Sequence, residues 1–120
     1  MGDRANIVIQ KDNSNFLADL YFYTHWQGYS LPKIVQDALI RGQERWDDAS
    51  YLARIIFCKL VEGEENDLTG YGISNLEQDN EHPFVIVNIH QKTVSINNKT
   101  WTFKEYIQAE IATINKYYNK

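Results

Sequence analysis

Apolar positions alternate with polar ones in some segments of the chain and recur every third or fourth residue in others. The two periods predict different elements. Residues 5–10 (ANIVIQ) form a short apolar run of strand type. Residues 17–25 (LADLYFYTH) alternate, with Ala18, Leu20, Phe22 and Thr24 on one face and Asp19, Tyr21, Tyr23 and His25 on the other. The polar stretch KDNSN at 11–15 is turn chemistry, so the two strands are expected to pair as a hairpin across a loop of about five residues.

The period then changes to that of a helix over 31–44. Ser30 stands at the cap and Pro32 in the first turn, and Leu31, Ile34, Val35, Ala38 and Leu39 fall on one face. A second helix is predicted from Asp47 or Asp48 to about Val61. It is apolar nearly all round, which predicts burial against more than one layer, and Gly63 stops it. Residues 64–82 are polar and hold one short strand at about Gly70 to Ser74. FVIVNI at 84–89 reads as a central strand, and 93–97 returns beside it after His90-Gln91-Lys92. Thr102 and Glu105 form a capping box, with Trp101 and Tyr106 as its hydrophobic staple. A final helix follows, with Tyr106, Ile107, Ile111, Ile114 and Tyr118 on its inner face.

The order is ββααβββα. It predicts one α+β domain over 1–120, with a mostly antiparallel sheet of about five strands and helices packed on one face. Ile7, Ile9, Leu20, Phe22, Val35, Leu39, Leu52, Ile56, Val85, Val87, Ile107 and Ile111 are expected to share its core. Three main helices are too few to cover both faces of such a sheet. A homo-oligomer burying the Tyr21 and Tyr23 face is therefore expected.

Charge narrows the class of partner. The net charge is −4, and seven acidic residues with no basic one lie between Glu62 and Glu81. No Lys/Arg block is present, which disfavours duplex nucleic acid as a partner. The single Cys58 excludes an internal disulfide, and its apolar neighbours predict a buried thiol. With no signal-like segment and no long apolar span, a soluble, cytoplasmic protein without membrane partners is expected.

Candidate chemistry gathers at one place. A hairpin brings Arg4 and Asn6 beside Thr24, His25 and Trp26, with Tyr29 following. Together these offer a cation, an amide, a hydroxyl, an imidazole and aromatic rings, a set suited to an anionic, nucleotide-like ligand. The alternative for Arg4 is a surface ion pair with a nearby carboxylate. Secondary candidates are Arg41, Trp46, Arg54 and His82, with Trp46 equally suited to plugging a helix corner. Asp79-Asn80-Glu81-His82 lacks metal-ligand spacing, so no metal and no cofactor is assigned. HExxH, P-loop, GxGxxG and GxSxG motifs are absent from the sequence.

Arg4-Ala5-Asn6, Tyr23-Thr24-His25-Trp26, Leu31-Pro32, Trp46-Asp47-Asp48, Arg54-Ile55-Ile56-Phe57, Thr69-Gly70-Tyr71-Gly72-Ile73-Ser74 and Asp79-Asn80-Glu81-His82 together resemble a family of small uncharacterised proteins of phages and bacteria. The resemblance implies no activity. It does make a host-directed role plausible, such as inhibiting or sequestering something used in defence. Three readings follow. The first is a non-enzymatic protein holding a phosphate-bearing or nucleotide-like ligand. The second is an inhibitor that masks a host protein with its acidic 62–81 surface. The third is a small hydrolase using His25 or His82 as general base.

Overall fold

The computed structural model describes residues 2–10 and 20–119. The turn expected at 11–15 and the start of the second strand at 17–19 lie outside the described residues. The described residues form six strands: β1 (Ala5–Gln10), β2 (Leu20–Thr24), β3 (Tyr71–Ser74), β4 (Val85–Asn88), β5 (Thr93–Ile96) and β6 (Lys99–Thr102). The helices are α1 (Leu31–Arg41), α2 (Ala49–Leu60), α3 (Phe103–Gln108) and α4 (Ile111–Tyr118), with 3-10 turns at Gly28–Ser30 and Gln43–Arg45.

The strands form one sheet in the order β3-β2-β1-β4-β5-β6. β1 runs parallel to β4, and every other pairing is antiparallel. The α+β class and the predominance of antiparallel pairing match the sequence reading. The parallel pair at the centre and the sixth strand do not. The parallel pair follows from the route of the chain. α1 and α2 lead from β2 only to β3, which pairs antiparallel with β2 at the edge. Residues 75–84 then carry the chain from that edge past β2 and β1, so that β4 starts beside β1 and runs in its direction.

The period of two decides which side chains enter the core. Ala5, Ile7 and Ile9 of β1, Phe22 of β2, Val85 and Val87 of β4, Val94 and Ile96 of β5 and Trp101 of β6 are buried with apolar residues of all four helices. Leu31, Val35, Ala38 and Leu39 come from α1, and Leu52, Ile56 and Leu60 from α2. Tyr106 of α3 and Ile114 and Tyr118 of α4 complete the core. Every expected core residue joins this cluster, with Leu20, Ile107 and Ile111 at its partly buried margin.

Three local expectations are corrected. α2 is not buried on all sides: Leu52, Ala53, Ile56 and Leu60 face the core while Tyr51, Arg54 and Cys58 are exposed, so the Cys58 thiol is not the buried one expected. The helix after Thr102 is broken at Ala109–Glu110, where the backbone is extended. The Gln36 side chain, buried on α1, donates to both Tyr106 O at 2.9 Å and Ala109 O at 2.8 Å. It thereby satisfies carbonyls that the interrupted helix leaves free. The expected helix over 31–44 ends at Arg41 and continues as a 3-10 turn. The capping box itself is formed, and the Trp101 and Tyr106 rings meet edge to face at 5.4 Å.

Candidate functional site

Register gathers the site. Ala5 lies opposite Thr24 and Asn6 opposite Tyr23, so the start of β1 meets the end of β2. The Asp3 N–H donates to His25 O at 2.6 Å, and the Gly28 N–H donates to Asp3 O at 2.8 Å. Thr24 is buried, and its hydroxyl oxygen accepts from the Trp26 N–H at 3.3 Å and the Gln27 N–H at 3.1 Å. That bond turns the chain off the strand and projects Trp26, which is 48% exposed. Tyr29, 70% exposed, donates its backbone N–H to Asp3 Oδ2 at 2.8 Å. His25 Nδ1 shares a 3.1 Å hydrogen bond with the Tyr23 hydroxyl, and its ring meets Trp26 edge-on at 4.3 Å. Gly70 has φ +96° and lies against the Trp26 indole, where a side chain would overlap the ring.

The charge of Arg4 is already met. Its Nη2 lies 2.9 Å from Glu81 Oε2 and its Nη1 3.4 Å from Asp79 Oδ2. The Arg4 backbone N–H adds a bond to Glu81 Oε1 at 2.9 Å, and the Glu81 N–H returns one to Arg4 O. The backbone N–H and then the guanidinium hold the Glu81 carboxyl below its ordinary value. Asn6 is fully buried, with Nδ2 3.2 Å from each of Gln78 O, Asp79 O and Asn80 Oδ1. Arg4 and Asn6 thus strap residues 78–81 across the face of the sheet that carries Tyr23. The sequence alone assigns the cover of that face to a second copy and does not foresee this strap.

His82 belongs to the same corner. Its Nε2 lies 2.5 Å from Asp3 Oδ1, and its ring stacks on Tyr118 with centroids 5.2 Å apart and planes 4° from parallel. The Tyr118 hydroxyl donates to Gly28 O at 2.6 Å. Burial alone would raise the Asp3 carboxyl, but bonds from His82 and the Tyr29 N–H, with the charge of His82, hold it below its ordinary value. Asp3 orients His82 as a carboxylate orients a general base. Among the described residues neither His25 nor His82 hydrogen-bonds to a Ser, Thr or Cys side chain. Among the same residues no group of three or more His, Cys, Asp and Glu could hold a metal ion.

The other secondary candidates lie elsewhere. Arg41 sits at the far end of α1, about 16 Å along the helix from Leu31, and pairs with Glu62 at 2.8 Å. Trp46 fills the α1–α2 corner, its indole N–H donating to Leu39 O at 3.0 Å and its ring meeting Phe103. Arg54 is exposed, with only a weak 3.7 Å contact to the Cys58 sulfur. Sequence reasoning missed Tyr118, whose place over His82 depends on packing between residues 36 positions apart. No local spacing signals that.

A second surface flanks this corner. Residues 62–69 are all exposed, and β3 forms the outer edge of the sheet. Leu68 is 99% exposed, Leu76 68% and Ile73 57%. Arg41 and Lys59 neutralise Glu62, and their hydrogen bonds hold its carboxyl down at about 2. Glu64 accepts from the Tyr71 hydroxyl. Among the described residues Glu64, Glu65, Asp67 and Glu77 have no ion-pair partner. No helix among the described residues is long and apolar enough to cross a membrane. No protein-family model matches the chain, and neither does any curated protein or solved structure.

Proposed function

We propose that the chain is a protein-binding module that masks a basic partner with its 62–81 surface. One observation carries this reading. Leu68, Ile73 and Leu76 stand exposed among four carboxylates without ion-pair partners in the described structure. Apolar side chains rimmed by charge of one sign are the composition of an interface rather than of a solvated loop. The rival reading, a phosphate-bearing ligand at Arg4, needs that ligand to displace Glu81 and Asp79 from the guanidinium first. Exposed Trp26 and Tyr29 remain its best support.

Selection from a random library of linear 12-residue peptides tests the proposal. Enriched peptides should be rich in Lys, Arg and apolar residues. Their binding, followed by fluorescence anisotropy, should weaken as salt is raised. The triple change Glu64→Gln, Glu65→Gln and Asp67→Asn should cost about 1–3 kcal/mol of binding at low salt, at the usual scale for rim charges. No enrichment, combined with ATP binding that Arg4→Ala abolishes, would replace this reading with the small-ligand one.

A further inference from the structure

The edge strand shows how such a partner could be held. Among the described residues β3 pairs only with β2, in the register Tyr21–Ser74, Phe22–Ile73, Tyr23–Gly72 and Thr24–Tyr71. Just beyond it, the His25 N–H donates to Gly70 O at 2.8 Å, so His25 and Gly70 face each other as a hydrogen-bonded pair. Antiparallel pairs alternate between bonded and non-bonded. Gly72 and Ser74 therefore bond inward to β2. Tyr71 and Ile73 direct their N–H and C=O groups outward.

Among the described residues this edge is protected only by its shortness, four residues. Natural edge strands are blunted by Lys, Pro, bulges or a covering element. YGIS has no Lys and no Pro, Ile73 is exposed on the strand itself, and Leu68 and Leu76 stand exposed on either side. On the opposite face a side chain placed at Gly72 would meet nothing within 4 Å, so that face has room beside the edge. The occupant is set by charge. Glu64 bonds to the Tyr71 side chain at one end of the strand, with Glu65 and Asp67 following it, and Glu77 lies just past Ser74 at the other. A second copy would bring the same carboxylates against these, and like charges in register oppose pairing.

We infer that β3 receives an extended segment of a partner protein as a seventh strand. That segment has an apolar residue at its centre to lie beside Ile73, and Lys or Arg on both flanks. The backbone of Tyr71 and Ile73 supplies the hydrogen bonds, and the acidic rim selects basic flanks and works against self-pairing. The inference rests on the protein-binding reading and specifies its mode.

The test uses a peptide selected as above, with a copy N-methylated at alternate residues. Strand addition predicts that the peptide slows amide hydrogen exchange at Tyr71 and Ile73 by tenfold or more. N-methylation of the pairing edge should then abolish binding while leaving the charge intact. Ile73→Pro removes one outward N–H and no bond to β2, so the variant should fold and bind at least tenfold more weakly. Ile73→Thr should bind more weakly by a smaller factor. If Ile73→Pro fails to fold, exchange at Ile73 in the unaltered protein decides the matter. Unchanged exchange at Tyr71 and Ile73, with equal binding of the N-methylated peptide, would overturn strand addition. In that outcome the protein-binding reading still stands. Failure to enrich any basic peptide removes both.

Discussion

Asn6 offers the sharpest test of how the 78–81 segment is held. Its two amide hydrogens face three acceptors at 3.2 Å, and its Oδ1 has no partner. Asn6→Ala removes two hydrogen bonds at about 0.5–1.5 kcal/mol each and takes the donor from three part-buried acceptors. Removal of the unpartnered Oδ1 offsets part of that. The balance is a loss of about 2–3 kcal/mol. At about 2.1 cal/mol/K per residue, that lowers Tm by about 8–12 °C for a chain of this length. Asn6→Asp is nearly isosteric but turns a carboxylate toward three oxygens. It should cost more, about 3–5 kcal/mol at pH 7, because a buried charge is left uncompensated. The introduced carboxyl would titrate at a raised pKa, so its penalty should shrink as pH falls toward 5. Thermal and urea melts followed by circular dichroism at pH 7 and pH 5 measure both variants. If Asn6→Asp is as mild as Asn6→Ala at pH 7, the amide does not act as the donor to this strap and the reasoning fails.

Packing predicts that Ile56→Ala, at a fully buried position, loses about 2–5 kcal/mol, while Leu68→Ser stays within about 0.5 kcal/mol in the same urea melts. Gly28→Ala should lower Tm and disturb the His82 ring signals in NMR spectra, since the added Cβ would lie 2.5 Å from Asp3 O and 2.7 Å from His82 Cδ2. Asp3, Glu62 and Glu81 have lowered carboxyl pKa values, so each contributes stability above its unfolded value that is lost as pH falls through its folded one. Tm should therefore drop below about pH 4.5, and Asp3→Asn or Glu62→Gln should flatten that slope. A slope unchanged in both variants would show that these pairs do not couple to folding.

The legible parts of the fold share one property: their signals are local. The apolar run of β1, the alternation in β2, the Asp48 cap and the Thr102–Glu105 box can each be recognised within about ten residues, and each is present. β6 was absorbed into a turn and a cap because four residues, Lys99 to Thr102, carry two Thr around one Trp and little apolar weight. The break after Gln108 has no Pro or Gly to announce it, and Gln36, which ties its carbonyls, is 70 positions from Tyr106. The meeting of Arg4, Asn6, Thr24, His25 and Trp26 followed from hairpin topology. That Glu81, Asp79 and the 78–80 carbonyls would occupy Arg4 and Asn6 did not, because 62–81 reads as a uniformly solvated acidic stretch. Only its partners at the start of the chain, the Arg4 guanidinium and the Asn6 amide, show otherwise.

The central position of β1 has a consequence for how the chain reaches this state. β1 can pair with β2 within the first 24 residues, but its other edge waits for β4, with Ile7 opposite Val85 and Gln10 opposite Asn88. Closing that pair joins residues 78 positions apart, and loops of this span make folding slow compared with local hairpins. During synthesis the most buried strand of the sheet therefore carries a bare edge until Asn88 has left the ribosome. For that interval β1 can pair with the same strand of another nascent chain, the misassembly to which unpaired strand edges are open.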